Sequence, residues 1–136
     1  MSVIQHLAGQ KVLVVDDMKS MRSLIKACLV DLGIAMENIA EAADGRSAMS
    51  IMQTKRFDLI VCDGDMPRMD GLELLKAVRA DERLASQRFL MLTANTHAGK
   101  VGLAIAAGVS DYIAKPFKPD TLQTKVSRLL TPKAAA

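Results

Sequence analysis

A chain of 136 residues, half of them hydrophobic and about a quarter charged, has the size and balance of one globular domain that needs no staples. Its net charge of +3 is spread along the chain, with no basic stripe and no aromatic–basic interleaving, so nucleic acid is not an expected partner. No segment approaches the ~20 apolar residues of a membrane span, and the N-terminus carries no basic region leading into an apolar core; the expected location is the cytoplasm, with no membrane partner. A single domain over residues 1–136 is expected, its core running from about 11 to 130 between short frayed ends.

Strand-length apolar runs alternate with helical periods along the chain. "KVLVV" (11–15) reads as a strand buried on both faces. Met21, Leu24, Ile25, Cys28, Leu29 and Leu32 then recur at three- and four-residue steps, and Gly33 supplies a left-handed cap to that helix. "NIAEA" (38–42) is a weaker strand, followed by an Asp44-Gly45 turn and a short helix marked by Ala48, Ile51, Met52 and Lys55. "DLIVC" (58–62) is the third strand. Leu72, Leu75 and Val78 mark a helix opened by the Asp70-Gly71 turn.

"RFLMLT" (88–93) is the fourth strand. The helical stretch 97–107 carries Gly99 and Gly102, each costing about 1 kcal/mol against Ala, so it is expected to be the least stable helix. "DYIA" (111–114) is the fifth strand. A last helix opens at Pro119 and is expected to bury Leu122, Val126 and Leu129. Cys28 and Cys62 fall within apolar patterns and read as buried thiols. His6 and His97 read as surface residues, neither having metal-ligand spacing to another His or Cys.

Strict strand–helix alternation predicts an α/β fold, a doubly wound five-stranded parallel sheet with helices on both faces and right-handed crossovers. In such a sheet all strand carboxyl ends share one edge, where ligand chemistry gathers. The first strand runs into Asp16-Asp17, the third into Asp63-Gly64-Asp65, the fourth ends at Thr93, and the fifth is followed by Lys115-Pro116. Carboxylates, a hydroxyl and an ammonium from four segments are therefore expected to converge. Crowded carboxylates disfavour one another's charge, and a hard divalent cation would neutralise them. Mg²⁺ suits one or two carboxylates plus phosphate oxygens. A metal and a lysine flanking one carboxylate suit an incoming phosphoryl group, whose transfer is mostly a matter of positioning and charge stabilisation.

"VLVVDDMKSMRSLI", "DLIVCDGDMPRMDGLELL", "LMLTA" and "DYIAKPF", in this order and spacing, resemble the receiver domain of bacterial two-component response regulators, nearest the stand-alone chemotaxis type. The resemblance covers about 11 to 130. It implies a flavodoxin-like sheet of order 2-1-3-4-5, the order known for the chemotaxis regulator. It implies Asp63 as phosphoacceptor, a nucleophile toward a phosphohistidine or small acyl phosphate. It implies Asp16 and Asp17 as the acidic pair on Mg²⁺ (or Mn²⁺), Asp17 directly and Asp16 mainly through water, with the Asp65 backbone carbonyl as a further ligand. Thr93 and Lys115 would contact the phosphoryl group, and Ala94 would keep its approach small. Tyr112 would be the aromatic switch, moving inward as Thr93 vacates space. Asp65 and Asn95 would tune the phosphoryl lifetime, and the Lys115–Pro116 bond would be cis.

The implied partners are a histidine kinase or histidine phosphotransfer protein, and an effector bound on the surface of the fourth helix (97–107), the fifth strand and the fifth helix (from 119). No output domain follows in this sequence, so the signal is expected to leave through protein contacts. A phosphorelay intermediate or phosphate sink is the alternative. A haloacid dehalogenase-like phosphatase would share Asp63-x-Asp65, but in that family the nucleophile strand precedes the acidic pair. The more ordinary roles for these residues are turns for Asp63, helix capping for Asp16 and Asp17, and partial core burial for Tyr112.

Overall fold

The computed structural model describes residues 3–67, 69–94 and 98–131. It contains helices α1 (Val3–Ala8), α2 (Lys19–Leu32), α3 (Gly45–Thr54), α4 (Gly71–Ala80), α5 (Ala98–Ala106) and α6 (Pro119–Leu130). Strands β1 (Val12–Val15), β2 (Ile39–Ala42), β3 (Leu59–Asp63), β4 (Phe89–Ala94) and β5 (Asp111–Lys115) pair in parallel in the order β2-β1-β3-β4-β5. The predicted fold and strand order are thus observed.

Burial follows from position in the sheet. Every residue of β1 and β3 is buried, whereas the edge strands β2 and β5 are only partly covered. This is why the first and third strands read as unbroken apolar runs and "NIAEA" did not. Alternate residues feed two cores. Val12, Val14, Leu59, Val61, Leu90 and Leu92 face α1, α2 and α6, while Leu13, Val15, Ile60, Cys62, Phe89 and Met91 face α3, α4 and α5. A short 3-10 turn at Met36–Asn38 takes up the long connection into β2, so that Val12 pairs with Ile39.

Helix boundaries follow local chemistry. Gly33 adopts φ 119° and its N–H bonds back to Leu29 and Val30, the left-handed cap expected. Asp44 caps α3 through Ser47 N–H at 2.7 Å, and Asp70 with Glu73 forms a reciprocal capping box on α4. Pro119 opens α6. The Lys115–Pro116 bond is cis.

Four expectations need correction. The α6 stripe buries Leu122, Val126 and Leu130, with Leu129 only partly covered: the stripe centres on Val126, from which Leu122 and Leu130 lie about 40° around the helix and Leu129 about 60°. Leu24 is 45% exposed, so the buried stripe of α2 is narrower, at Ile25, Cys28 and Leu29. The N-terminal end is a docked helix, with Leu7 buried in the first core. His6 is half-buried, its Nε2 donating to the Leu130 carbonyl at 2.8 Å, which ties α1 to the end of α6. His97 lies outside the described residues. Both cysteines are free and buried, as expected.

Around Gly102 of α5 a Cβ would meet nothing within 4 Å, so that position faces open space. Gly102→Ala is therefore expected to raise the unfolding free energy by about 1 kcal/mol, measured by urea denaturation. A neutral or destabilising change would mean that α5 has an unrecognised contact there.

Candidate functional site

All the polar strand-end residues reach the same edge of the sheet. Asp63 is the last residue of β3 and pairs with Leu92; Thr93 pairs with Ala114, and Ala94 with Lys115. Asp16 follows β1 directly, held by its N–H on the Ala42 carbonyl at 3.1 Å. Side-chain oxygens of Asp16, Asp17 and Asp63 all lie within 4.8 Å of one another. Lys115 Nζ donates to Asp63 Oδ1 at 2.6 Å, and the Asp65 N–H donates to the same oxygen at 3.1 Å.

Depth separates the three carboxylates. Asp16 and Asp63 are 1% and 4% exposed, whereas Asp17 is open to solvent. Asp16 Oδ1 accepts from the Met18 N–H at 2.9 Å, and Asp16 Oδ2 is buried with no hydrogen-bond partner among the described residues. Burial first, then the charges of Asp63 and Asp17, push the Asp16 carboxyl above its ordinary range; the Met18 N–H and Lys115 oppose that. An orphaned, buried carboxylate oxygen is costly unless something positive meets it. Helix capping does not explain the pair, since the N-cap of α2 is Met18 and no side chain caps that helix.

This donor set suits a hard cation: all-oxygen ligands, one buried oxygen without a partner, and an exposed carboxylate at the mouth. Lys115 stands on the other flank of Asp63. The site can therefore hold positive charge on both sides of one carboxylate.

The remaining predicted residues sit nearby with distinct contacts. Thr93 is 6% exposed, and among the described residues its hydroxyl makes only a long contact, 3.4 Å, with the Ala94 carbonyl. Asp65 is exposed and its Oδ2 accepts from the Ala94 N–H at 3.3 Å, tying the loop after β3 to the end of β4. Tyr112 is half-buried against the second core, two residues along β5 from the Ala114 that pairs with Thr93, on the same face of the sheet. Lys125 lies 5.5 Å from the centre of its ring and bonds Asp111 at 2.9 Å. Asn95 lies outside the described residues.

Two supports were not foreseen. Arg22 Nη1 donates to the Asp16 carbonyl at 2.7 Å while its Nε pairs with Glu41 at 3.0 Å, bracing the acidic turn from α2. Gly71 packs directly on the backbone of Asp63: a Cβ there would lie 2.6 Å from the Asp63 carbonyl oxygen and 2.7 Å from Gly64 Cα. Nothing in the spacing of "MDG" signals that contact, because it depends on the loop folding back on the strand end. Cys62, fully buried beside Asp63, has its thiol pushed well up by burial and then by Asp63, so it stays protonated and inert.

The family model for the response regulator receiver domain matches residues 12–127. The chain belongs to the response regulator receiver family. This receiver is 44% identical over 119 residues to "Chemotaxis protein CheY" of Pseudomonas aeruginosa, covering 88% of the chain and 94% of that protein. It is 42% identical over 121 residues to "Chemotaxis protein CheY-3" of Vibrio cholerae, covering 89% of the chain and 92% of that protein. Among solved structures, Vibrio cholerae CheY4 superposes with a TM-score of 0.80 at 39% identity, over 88% of the receiver and 98% of that chain. The receiver domain of the sensor histidine kinase PA1611 from Pseudomonas aeruginosa, described with a magnesium ion coordinated in its active-site cleft, gives 0.79 at 34% identity, over 90% and 98%. Family membership places the chain among signalling proteins and removes the phosphatase alternative. No helix among the described residues is long and apolar enough to cross a membrane.

Proposed function

We propose that this chain is a single-domain response regulator that accepts a phosphoryl group on Asp63 and signals through a phosphorylation-dependent protein contact. The observation that carries the reading is the pairing at Asp63: Lys115 Nζ at 2.6 Å on one flank, and the Asp16 and Asp17 carboxylates within 4.8 Å on the other.

Asp63 Oδ1 already accepts from Lys115 and the Asp65 N–H, which leaves Oδ2 to attack. A new O–P bond forms as the P–N bond of a donor phosphohistidine breaks, and the electron pair stays on the departing imidazole nitrogen. Asp16, Asp17, Asp63 and the Asp65 carbonyl would hold Mg²⁺ or Mn²⁺, which when bound screens carboxylate from phosphate and stabilises charge on the phosphoryl oxygens. Lys115 pairs with a phosphoryl oxygen, and Thr93, whose hydroxyl has only a long contact, turns toward another. Ala94 leaves room for approach. Asp65 and Asn95 set how readily water reaches the acyl phosphate. With Thr93 displaced, Tyr112 moves inward along the same face, away from Lys125.

The output surface comprises α5, β5 and α6, where Leu103 and Ile105 of α5 are 54% and 59% exposed. An effector protein would read that surface, a histidine kinase or histidine phosphotransfer protein would supply the phosphoryl group, and the protein would work in the cytoplasm. Similarity to chemotaxis proteins of two organisms favours a chemotaxis pathway over a phosphorelay or phosphate sink.

Intact-mass analysis after treatment with Mg²⁺ and a small acyl-phosphate donor tests the acceptor. Wild type is expected to gain one phosphoryl group and Asp63→Asn none; equal labelling would reject Asp63. In the same series, Thr93→Ala is expected to accept phosphate yet lose the phosphorylation-dependent gain in effector binding, and an undiminished gain would reject the switch.

A further inference from the structure

The opposite edge of the sheet holds a second polar basin. It opens at the amino ends of β1, β3 and β4, with a volume of about 580 Å³, and four basic residues line it: Lys11, Arg56, Arg83 and Arg88. Arg83 is engaged with Asp81 at 3.5 Å and with Gln53. The side chains of Lys11, Arg56 and Arg88 have no ion-pair or hydrogen-bond partner among the described residues. Asp58 is the one carboxylate in the lining, and its Oδ2 already accepts from the Lys11 N–H at 2.8 Å. Half-buried Phe57 adds an aromatic wall.

Three exposed cations without a protein partner, lining one concavity, raise the local concentration of anions more than the same charges on a convex face. Lys11 and Arg88 immediately precede β1 and β4, and Arg56 lies in the connection three residues before β3, so adjacent strands bring the three to one edge. The volume falls in the range of small-molecule sites. A compact polyanion fits these features, with guanidinium groups taking phosphate oxygens and an aromatic face available to a ring. The basin lies beyond the far end of β3 from Asp63, about 16 Å at ~3.3 Å per residue, so it is separate from the phosphoacceptor edge.

We infer that this basin binds a small phosphate-bearing ligand of the nucleotide class, held by Lys11, Arg56 and Arg88 and stacked against Phe57. The inference stands independently of phosphorylation at Asp63.

The test is titration followed by ¹H–¹⁵N NMR at about 0.15 M ionic strength, with EDTA keeping metal from the acidic edge. The probes are ADP, pyrophosphate, adenosine and a short single-stranded oligonucleotide. ADP is expected to shift the amides around Lys11, Phe57 and Arg88. The Arg56→Ala/Arg88→Ala double variant is expected to weaken that binding by at least about tenfold, since each lost charge-assisted contact costs a large factor. Asp63→Asn is expected to bind ADP as wild type does. Pyrophosphate binding as well as ADP would limit the ligand to phosphate and overturn the nucleotide assignment. Adenosine binding as well as ADP would overturn the role of the cations, and tighter binding of the oligonucleotide would overturn the small-molecule class. Absence of shifts at millimolar ADP, or shifts unchanged in the double variant, would overturn the site itself. Because the substituted side chains are exposed, the double variant should keep the wild-type thermal transition, which is measured alongside.

Discussion

Asp16→Asn is expected to stabilise the metal-free protein by about 1–3 kcal/mol, the usual cost of a buried polar group left without a partner. Asp16 Oδ2 is buried and orphaned, and both Asp17 and Asp63 add repulsion. An asparagine keeps the Oδ1 contact with the Met18 N–H and replaces an anionic oxygen by a donor facing the other carboxylates. The same change should remove most of the stabilisation that added Mg²⁺ gives wild type, a gain of about 2.7 kcal/mol at a hundred times the dissociation constant. Thermal unfolding with EDTA and with saturating Mg²⁺ reads both effects. A variant no more stable than wild type in EDTA, or equally responsive to Mg²⁺, would show that Asp16 is not a strained anion awaiting a cation.

The pH dependence carries the sign of the same effect. The Asp16 carboxyl is raised in the folded state, so its favourable contribution is complete below the ordinary carboxylate range and is lost as pH rises through the folded value. In EDTA the variant and wild type should therefore converge near pH 4 and separate as pH rises. Glu41 runs the other way. The hydrogen bond from Lys26, aided by that from Arg22, holds its carboxyl low, so its contribution exists above the ordinary range and fades as pH falls. Its carboxylate is one-third exposed, which keeps that contribution within a surface pair's ~1 kcal/mol.

What could be read in advance depended on whether a residue's role was set by its strand or by a contact across the fold. "VLVV" and "DLIVC" announced themselves because strands buried on both faces leave no polar interruption. Asp16, Asp63, Thr93 and Lys115 could be brought together on paper because parallel strands put all their carboxyl ends on one edge. Other features had no such rule behind them. Six residues of α1 are too short to show a period, so the docking of Leu7 and His6 was invisible. Arg22 looks like any polar residue on a helix until α2 is laid beside β1 and β2, where it grips Asp16 and Glu41 together. The free cations Lys11, Arg56 and Arg88 are scattered in sequence and meet only because strand amino ends also share an edge.

Gly71→Ala is expected to destabilise the fold by about 1–3 kcal/mol or more and to slow phosphoryl labelling of Asp63 by about 10- to 100-fold. The added Cβ would lie 2.6 Å from the Asp63 carbonyl oxygen, 2.7 Å from Gly64 Cα and 3.2 Å from the Asp63 carbonyl carbon. All three are backbone atoms, so no side chain can swing aside. The backbone at Asp63 cannot retreat easily either: the Gly64 N–H is fixed on Leu92 at 2.7 Å, and the Gly71 N–H on Gly64 at 3.2 Å. Relief must come from moving α4 outward or Asp63 inward, and either disturbs the 2.6 Å approach of Lys115 to its carboxylate. Asp70→Ala is the comparison, since it breaks the capping box of the same helix at a cost of about 1 kcal/mol without touching Asp63. Urea denaturation and intact-mass labelling on both variants separate the effects. If Gly71→Ala loses no more labelling than Asp70→Ala, the glycine serves only to begin a helix, and the close packing behind Asp63 has no bearing on its chemistry.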